Sequence, residues 1–211
     1  MFTGIVQCTG TVKSIETRNN FKHFCIEIPR RLIDGLEMGA SIANNGVCLT
    51  VVGFKSCDNE RAEIEFDVID ETLKLTNLAE VCVGSQINIE RSMKVGDEIG
   101  GHIVSGHIHG TATLLRRIDS EDNCQLDFSL ASSWAKYLFH KGFIAINGAS
   151  LTLGKVVEQA DHVVFSLHLI PETLQRTNLG ALSVGESVNI EIDQQTITIV
   201  DSIERIMAKR N

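Results

Sequence analysis

An internal repeat that covers nearly the whole chain is the strongest constraint on its fold. The segment SIANNGVCLT at residues 41–50 returns as IAINGASLT at residues 144–152, and ETLKLTNL at 71–78 returns as ETLQRTNL at 172–179. Cys48 and Ser150 occupy corresponding positions 102 residues apart, and Thr72 and Thr173 are 101 residues apart. A repeat of this length is a whole domain, longer than a solenoid unit of roughly 20 to 50 residues. The sequence therefore predicts two similar domains, one with a thiol where the other has a hydroxyl.

Each copy has the pattern of a small all-β domain. Short runs of β-branched residues alternate with turn signals, and both copies carry an Asn-Gly pair between apolar runs, which is typical of a β-hairpin. A barrel and a sandwich both fit this pattern, and we favour closed barrels because closure leaves no edge strands. The expected architecture is two tandem antiparallel barrels, at residues 1–95 and 98–193.

The last segment, residues 196–211, has a different period. Val200, Ile203 and Met207 recur at helical spacing, which predicts an amphipathic C-terminal α-helix. Such a helix packs either on its own barrel or on other copies of itself, and the sequence leaves both arrangements open.

Composition argues against several classes of protein. The 211 residues carry a net charge of −8 with scattered Lys and Arg, so a nucleic-acid partner is not expected. We find no apolar run of membrane-spanning length and no secretory signal at the start, which predicts a cytoplasmic protein. The six cysteines form neither CxxC pairs nor Cys/His metal spacings, so we expect free thiols and no metal site.

Cys48 is the first candidate for chemistry. It aligns with Ser150, and each is followed two positions later by a threonine, Thr50 or Thr152. These side chains could form a polar rim that offers donors and acceptors to a heterocyclic ligand. The alternative is that Cys48 is a small buried apolar residue and that both threonines are ordinary strand residues.

Three histidines, His102, His107 and His109, open the second copy. A metal site would need a further ligand that the local sequence does not offer, so proton transfer or hydrogen bonding is the better functional interpretation. The alternative is that they are surface histidines. Dinucleotide, P-loop, serine-hydrolase and zinc-protease motifs are not found in the sequence.

Seven strings occur in order along the chain: MFTGIV, NGVCLT, ETLKLTNL, GGHIVSGH, KGFIAINGASLT, LIPETLQRTNLG and VNIEID. Together they resemble the riboflavin synthases of the alpha-chain type over the whole length. The resemblance implies two six-stranded Greek-key barrels and a C-terminal helix that helps to form a homotrimer. It also implies a dismutation without cofactor, in which two molecules of 6,7-dimethyl-8-ribityllumazine exchange a four-carbon unit, giving riboflavin and 5-amino-6-(D-ribitylamino)uracil.

The resemblance further implies one lumazine pocket in each barrel. The residues implied for the first pocket are Gly4, Ile5, Val6, Cys48, Leu49, Thr50, Asp67, Val68, Ile69, Asp70, Glu71 and Thr72. The residues implied for the second pocket are Gly106, His107, Ile108, Lys141, Ser150, Leu151, Thr152, His168, Leu169, Ile170, Pro171, Glu172 and Thr173.

The catalytic roles are implied in the same way. Either Cys48 or a water held by Ser41 would be the nucleophile, and His102 or His107 with Thr152 would assist proton transfer. Phe2 and Asp193 also match positions that the family uses. One departure is Asn147, which stands where the family usually has aspartate, so a carboxylate is expected to be missing near the second pocket.

A rival function is a carrier that binds one lumazine or flavin without catalysis, as lumazine proteins do. Such carriers tend to lose the motifs of the second pocket, whereas both sets are present here. A purely structural trimer does not explain the repeated polar residues. Association with lumazine synthase is left open by the sequence.

Overall fold

The computed structural model describes residues 1–209. Residues 210 and 211, the last two of the predicted C-terminal helix, lie outside the described residues. The described part is mainly β-structure, arranged as two barrels that follow the two copies of the repeat. The prediction of a duplicated all-β fold is confirmed.

The first barrel contains β1 (Cys8–Arg18), β2 (Phe21–Pro29), β3 (Ser41–Asn44), β4 (Val47–Ser56), β5 (Arg61–Ile69) and β6 (Gln86–Arg91). These six antiparallel strands close into a ring in the order β1-β2-β5-β4-β3-β6. Alternate side chains point inward, as period-2 strands require: in β5 the buried residues are Ala62, Ile64, Phe66 and Val68.

The second barrel contains β7 (Gly110–Asp119), β8 (Cys124–Ala131), β9 (Phe143–Ile146), β10 (Ala149–Thr152), β11 (Val156–Glu158), β12 (His162–Leu169) and β13 (Ser187–Ile192). They follow the order β10-β9-β13-β7-β8-β12-β11, which is the ring of the first barrel with one strand divided. The expected six-strand count needs correction here: β10 and β11 together replace β4, so this barrel is a curled sheet of seven strands.

The strand is divided at Gly154 and Lys155, opposite Ser166 of β12. The Ser166 hydroxyl accepts a hydrogen bond from the Lys155 amide at 2.8 Å, so a side chain takes a place that the regular β-ladder would give to a carbonyl. Gly154 still donates to the Ser166 carbonyl at 2.8 Å, which keeps the divided strand beside β12. In the first barrel β4 passes the corresponding position through an irregularity between Val51 and Gly53.

The helices are short except for the last. The 3₁₀ helices are Arg30–Ile33, Asn77–Ala79, Ser132–Tyr137 and Asn178–Ala181, and the α-helices are α1 (Asp70–Leu75), α2 (Pro171–Arg176) and α3 (Gln194–Ala208). None of the helices in the described range is long and apolar enough to span a bilayer. Helices α1 and α2 begin directly after β5 and β12, so they lie at corresponding places on the two barrels.

Helix α3 has apolar residues on more than one face. Ile197 and Val200 pack against the core of the second barrel, whereas Ile203 and Met207 are more than half exposed. The predicted stripe of Val200, Ile203 and Met207 is therefore divided between the barrel and the surface. The helix packs on its own barrel and presents further apolar surface.

The two Asn-Gly turns meet where the barrels join. Asn45 and Asn147 have positive φ angles of 46° and 44°, as a tight hairpin turn requires. Asn88 donates its side-chain amide to the Asn147 carbonyl, and Asn189 donates to the Asn45 carbonyl, both at 2.9 Å. Asn147 thus belongs to the junction between the barrels. Its side chain also bonds across the junction, where the Oδ1 accepts from the Asn77 side-chain amide at 3.1 Å. An effect of Asn147 on the second pocket stays a prediction.

Two crossing segments, residues 1–7 before β1 and residues 102–108 before β7, each run from one barrel to the other. Phe2 and Val104 pair in an antiparallel bridge, with N–H to carbonyl distances of 2.8 and 3.0 Å. Beyond this bridge Val6 belongs to the core of the second barrel, and Ile108 packs against the core of the first. Each barrel therefore receives the segment that leads into the other one.

Candidate functional site

The first candidate pocket lies on the outer face of the β3–β4 hairpin. Ser41 pairs with Thr50 and Ala43 pairs with Cys48, so these four side chains share one face of the sheet. Cys48 and Ser41 are half-buried and Thr50 is exposed. Leu49 lies on the opposite face and is buried in the barrel core, so only its backbone is available to a ligand at this face.

The second candidate pocket is a cavity of about 280 Å³ at the corresponding place on the second barrel. Its lining residues are Gly4, Ile5, Val6, Ala149, Ser150, Glu172, Thr173, Arg176 and Thr177. The hairpin strand β10 therefore meets the start of α2 here, as the repeated ETL sequence suggested. Thr152 and Lys141 are exposed near the end of the same hairpin and are not part of this lining.

The crossing segments change which glycines belong to which pocket. The Gly4 carbonyl accepts a hydrogen bond from the Ser150 amide at 2.8 Å, and the Gly106 carbonyl accepts from the Cys48 amide at 2.9 Å. Residues 4–6 therefore lie at the second pocket and residues 106–108 at the first. The grouping implied by the resemblance was the reverse, and it is wrong because each segment runs over the barrel that it does not enter.

Only glycine fits at these two contacts. A Cβ on Gly4 would lie 2.6 Å from the Ser150 Cβ, and a Cβ on Gly106 would lie 2.5 Å from the Cys48 Cβ. Both glycines also have positive φ angles, 73° and 84°. The backbone thus approaches the thiol position of one barrel and the hydroxyl position of the other equally closely.

A buried histidine adjoins the hydroxyl of the second pocket. His102 is buried, its Nδ1 lies 2.6 Å from the Ser150 Oγ, and its ring stacks on Phe143 at 5.1 Å between centroids. Burial lowers the pKa of His102 below the usual 6.5, and the charge of Asp193 opposes part of that shift. Burial therefore favours the neutral form of His102, which lies within hydrogen-bonding distance of the Ser150 hydroxyl.

The other two histidines are placed differently. His107 is exposed next to Gly106, at the first pocket, and its amide donates to the Ser105 hydroxyl at 3.2 Å. His109 accepts a hydrogen bond from the Ile192 amide at 3.2 Å and packs edge-on against Trp134. Within residues 1–209, no three His, Cys, Asp or Glu side chains are grouped as a metal site would need.

In the segments that lead into α1 and α2, the side chains include both buried and exposed residues. In the first barrel Val68 is buried, while Asp67 is exposed and its carboxylate lies 2.7 Å from the His23 Nδ1. The remaining exposed or half-exposed residues of that loop are Ile69, Asp70, Glu71 and Thr72. In the second barrel Leu169 is buried, and His168, Ile170, Pro171 and Glu172 are exposed. Leu151 is half-buried and packs against the core of that barrel.

Phe2 and Asp193 have structural partners. Phe2 is 1% exposed and packs with Ala43, Val104 and Ala145 at the junction, with Cys48 beside this cluster. Asp193 caps helix α3 by accepting hydrogen bonds from the amide and hydroxyl of Thr196, at 2.9 and 2.8 Å. Phe2 therefore supports the floor of the first pocket, and Asp193 lies close enough to His102 to act on its charge.

Sequence reasoning missed two buried carboxylates, Glu90 and Glu191. Each is 4% exposed, and burial raises the pKa of each above the usual 4.5 despite several hydrogen bonds that favour the charged form. The repeated strings Asn-Ile-Glu at 88–90 and 189–191 were the available signal, because a charge inside a buried strand of both copies is unusual.

Comparison with known proteins places this geometry in a family. The chain matches the family described as lumazine binding domain twice, at residues 3–92 and 105–193. The chain belongs to the lumazine-binding domain family. Each match covers one copy of the repeat together with the segment that crosses to the opposite barrel.

Among the similar family members, the protein named riboflavin synthase from Escherichia coli (strain K12) is 47% identical over 211 residues, covering 100% of this chain and 95% of its own. A crystal structure of LumP complexed with riboflavin is 28% identical with a TM-score of 0.79, covering 91% of this chain and 99% of that one. The LumP structure complexed with 6,7-dimethyl-8-(1'-D-ribityl) lumazine is 26% identical with a TM-score of 0.77, with the same coverage.

Proposed function

We propose that the chain is a riboflavin synthase that converts two molecules of 6,7-dimethyl-8-ribityllumazine into riboflavin and 5-amino-6-(D-ribitylamino)uracil. One lumazine gives up a four-carbon unit and the other receives it, so the two substrates supply both partners of the reaction. In this proposal no separate cofactor takes part. Each barrel, at residues 1–95 and 98–193, binds one lumazine.

The observation that carries the proposal is that both copies retain the same hairpin with a crossing glycine against it, while the side chains at the corresponding position differ. The first offers the Cys48 thiol beside Ser41, and the second offers the Ser150 hydroxyl beside the buried His102. A dismutation needs two binding sites for the same molecule and different groups at each. The 47% identity to the synthase of E. coli over the full chain supports the same assignment.

The roles follow from the reaction. The donor must lose a proton from its C7 methyl group, and the acceptor must receive a nucleophile at C7. We assign the nucleophile to Cys48 or to a water held by Ser41. The proton transfer we assign to the second pocket, where burial lowers the pKa of His102 and its Nδ1 is hydrogen-bonded to Ser150. Thr152, at the end of the same hairpin, is a further candidate for that step, whereas His107 lies at the first pocket and would act there. Most of the rate enhancement would come from holding two rings in register.

A homotrimer would bring the first pocket of one subunit to the second pocket of a neighbour. The apolar surface of α3 supports such an assembly, since Ile199, Ile203, Ile206 and Met207 are each more than half exposed. Deleting residues 196–211 should yield monomers by sedimentation that still bind ligand through the first barrel. An intact trimer after this deletion would remove the helix from the assembly.

The cytoplasm is the proposed place of action, and a lumazine synthase is the proposed protein partner because it would deliver the substrate. Co-sedimentation of this chain with lumazine synthase tests the second point. Sedimentation of the two proteins at their separate rates would contradict it.

The deciding experiment is to incubate the purified protein with 6,7-dimethyl-8-ribityllumazine alone and to follow the products by chromatography. Riboflavin and the ribitylaminouracil are expected in equal amounts. The likeness to LumP over 91% of the chain favours one alternative, a carrier that binds the lumazine without converting it. Bound but unchanged lumazine would establish that alternative and overturn the synthase assignment.

A further inference from the structure

Two buried glutamates hold the crossing segments in place. Glu90 lies in β6 of the first barrel and Glu191 lies in β13 of the second, and both are 4% exposed. A carboxylate with so little contact with water is costly unless several donors converge on it. In both cases those donors come from a crossing segment.

Glu90 binds the first crossing segment. Its Oε1 accepts hydrogen bonds from the Thr3 amide at 2.7 Å and the Thr3 hydroxyl at 2.8 Å, and its Oε2 accepts from the Gly4 amide at 3.1 Å. The Gly4 carbonyl then accepts the Ser150 amide at 2.8 Å. A carboxylate of the first barrel is thus joined through Gly4 to the Ser150 wall of the second pocket.

Glu191 repeats the arrangement in the opposite direction. Its Oε1 accepts from the Ser105 amide at 2.7 Å and the Ser105 hydroxyl at 2.8 Å, and its Oε2 accepts from the Gly106 amide at 2.9 Å. The Gly106 carbonyl accepts the Cys48 amide at 2.9 Å. A carboxylate of the second barrel is thus joined through Gly106 to Cys48 in the first pocket.

We propose that Glu90 and Glu191 are positioning residues that act across the molecule: Glu90 sets the geometry of the second pocket and Glu191 sets that of the first. The inference rests on the proposed function in that both pockets bind a lumazine or flavin ring. Each glycine contributes backbone to one wall of a pocket, and its amide is fixed by the distant carboxylate. A carboxamide cannot replace the carboxylate, because its NH₂ group would face one of the converging N–H donors.

A purely structural role for these two carboxylates would give a different result. If Glu90 only stabilised its own barrel, its loss would damage the first pocket or both pockets alike. The proposal instead requires that a substitution in one barrel weakens ligand binding in the other. The matched burial and matched donor sets of the two glutamates make each variant the control for the other.

The test uses full-length ¹⁵N-glycine-labelled protein and riboflavin as the probe. The amide signals of Gly4 and Gly106 report the second and first pockets, and protection of Cys48 from alkylation, read by mass spectrometry, reports the first pocket independently. Glu90→Gln should weaken riboflavin binding at the second pocket about tenfold or more and change the first less than about twofold. Glu191→Gln should do the reverse. If riboflavin fills only one pocket of the wild type, only substitution of the glutamate in the other barrel should weaken that binding.

The outcomes separate the inference from the proposed function. Substitutions that weaken the pocket of their own barrel, or both pockets equally, would overturn the inference alone. Crossed binding effects in a protein that makes no riboflavin would overturn the proposed function alone, and wild type that binds no riboflavin would overturn both. Should the glutamine variants not fold, Thr3→Ala and Ser105→Ala remove one donor each and should show the same crossed pattern at roughly threefold.

Discussion

The two pockets occupy corresponding places on duplicated barrels but offer opposite kinds of chemistry. In the first, Cys48 stands at the edge of an open face beside Ser41 and Thr50. In the second, Ser150 is hydrogen-bonded to His102, whose ring is buried against Phe143. The backbone around them is almost identical, with a glycine carbonyl accepting the amide of Cys48 in one case and of Ser150 in the other.

Under the proposed function, this difference would let a duplicated domain bind one molecule twice and treat it differently each time. The frame around each candidate pocket is common to both copies: an Asn-Gly hairpin, a crossing glycine and a short helix that begins at a repeated ETL sequence. The reactive groups differ at single positions. Substitutions at those positions test whether the two pockets act as donor and acceptor sites.

The largest effect is expected for His102→Ala. Removing the imidazole leaves the Ser150 hydroxyl without its partner, and the loss of a general acid or base typically slows a reaction about 10²- to 10⁴-fold. Steady-state kcat with 6,7-dimethyl-8-ribityllumazine measures this. The control is His140→Ala, an exposed histidine bonded to the Gly154 carbonyl. Equal kcat in His102→Ala and wild type would assign the proton transfer to another group.

Cys48→Ser should come second. The hydroxyl keeps the size and the backbone contact with Gly106, but it is a much weaker nucleophile than a thiolate, so kcat should fall roughly 10- to 100-fold with the fold intact. Circular dichroism checks the fold, and Cys57→Ser, an exposed cysteine outside the described pockets, is the control. Unchanged turnover would transfer the role to a water beside Ser41.

The divided strand of the second barrel should be sensitive to the loss of the Ser166 hydroxyl. Ser166→Ala removes the acceptor of the Lys155 amide, and losing this partly buried hydrogen bond should cost about 0.5–1.5 kcal/mol of unfolding free energy. Urea denaturation measures the loss. Ser129→Ala, on the neighbouring β8, should cost less than about 0.5 kcal/mol. Equal effects at both serines would show that the hydroxyl does not sustain the divided strand.

Acid should weaken the second barrel more than the first. Burial lowers the pKa of His102 and His109, so between those lowered pKa values and the ordinary 6.5 the unfolded chain binds more protons than the folded one. The free energy of unfolding therefore falls as pH drops below 6.5, by at most about 1.4 kcal/mol per pH unit for each histidine. Glu90 and Glu191 have the opposite effect on the free energy of unfolding. Because burial raises the pKa of each, their contribution to stability is present below pH 4.5 and is lost as pH rises from 4.5 through the raised pKa.

Melting temperatures of wild type and His102→Asn, measured from pH 5 to 7.5, isolate the contribution of His102 to the pH dependence of stability. The variant should lose part of the decline that wild type shows on the acid side of pH 6.5. Parallel curves for the two proteins would contradict a lowered pKa at this position.

Much of this architecture could be predicted from the repeat. The Asn-Gly turns at 45 and 147 and the final helix follow local rules of turn geometry and periodicity, which tertiary contacts did not override. The crossing of residues 1–7 and 102–108 could not be predicted, because an exchange between two similar barrels leaves every local pattern unchanged. That is why the sequence alone pairs Gly4 with the first hairpin and Gly106 with the second, whereas in the structure Gly4 lines one cavity with Ser150 and Thr173 and Gly106 contacts Cys48.

The smallest effect on kcat is expected at Asn147, where the barrels meet. Its Oδ1 accepts from the Asn189 amide at 2.8 Å and from the Asn77 side chain at 3.1 Å, and its own amide donates only a long bond of 3.3 Å to Asn178. Asn147→Asp keeps both acceptor contacts, but it buries a charge at a position that is 2% exposed and turns a carboxylate oxygen toward the Asn178 Oδ1. We expect kcat to stay within about twofold, while the free energy of unfolding should fall by about 1–3 kcal/mol. Asn45→Asp is the matched variant in the first barrel, where Oδ1 accepts from Asn88 and Asn178, both at 2.9 Å. A large change of kcat in Asn147→Asp, without one in Asn45→Asp, would show that the second pocket responds to this carboxylate and that the two barrels differ at their junction as well as at their pockets.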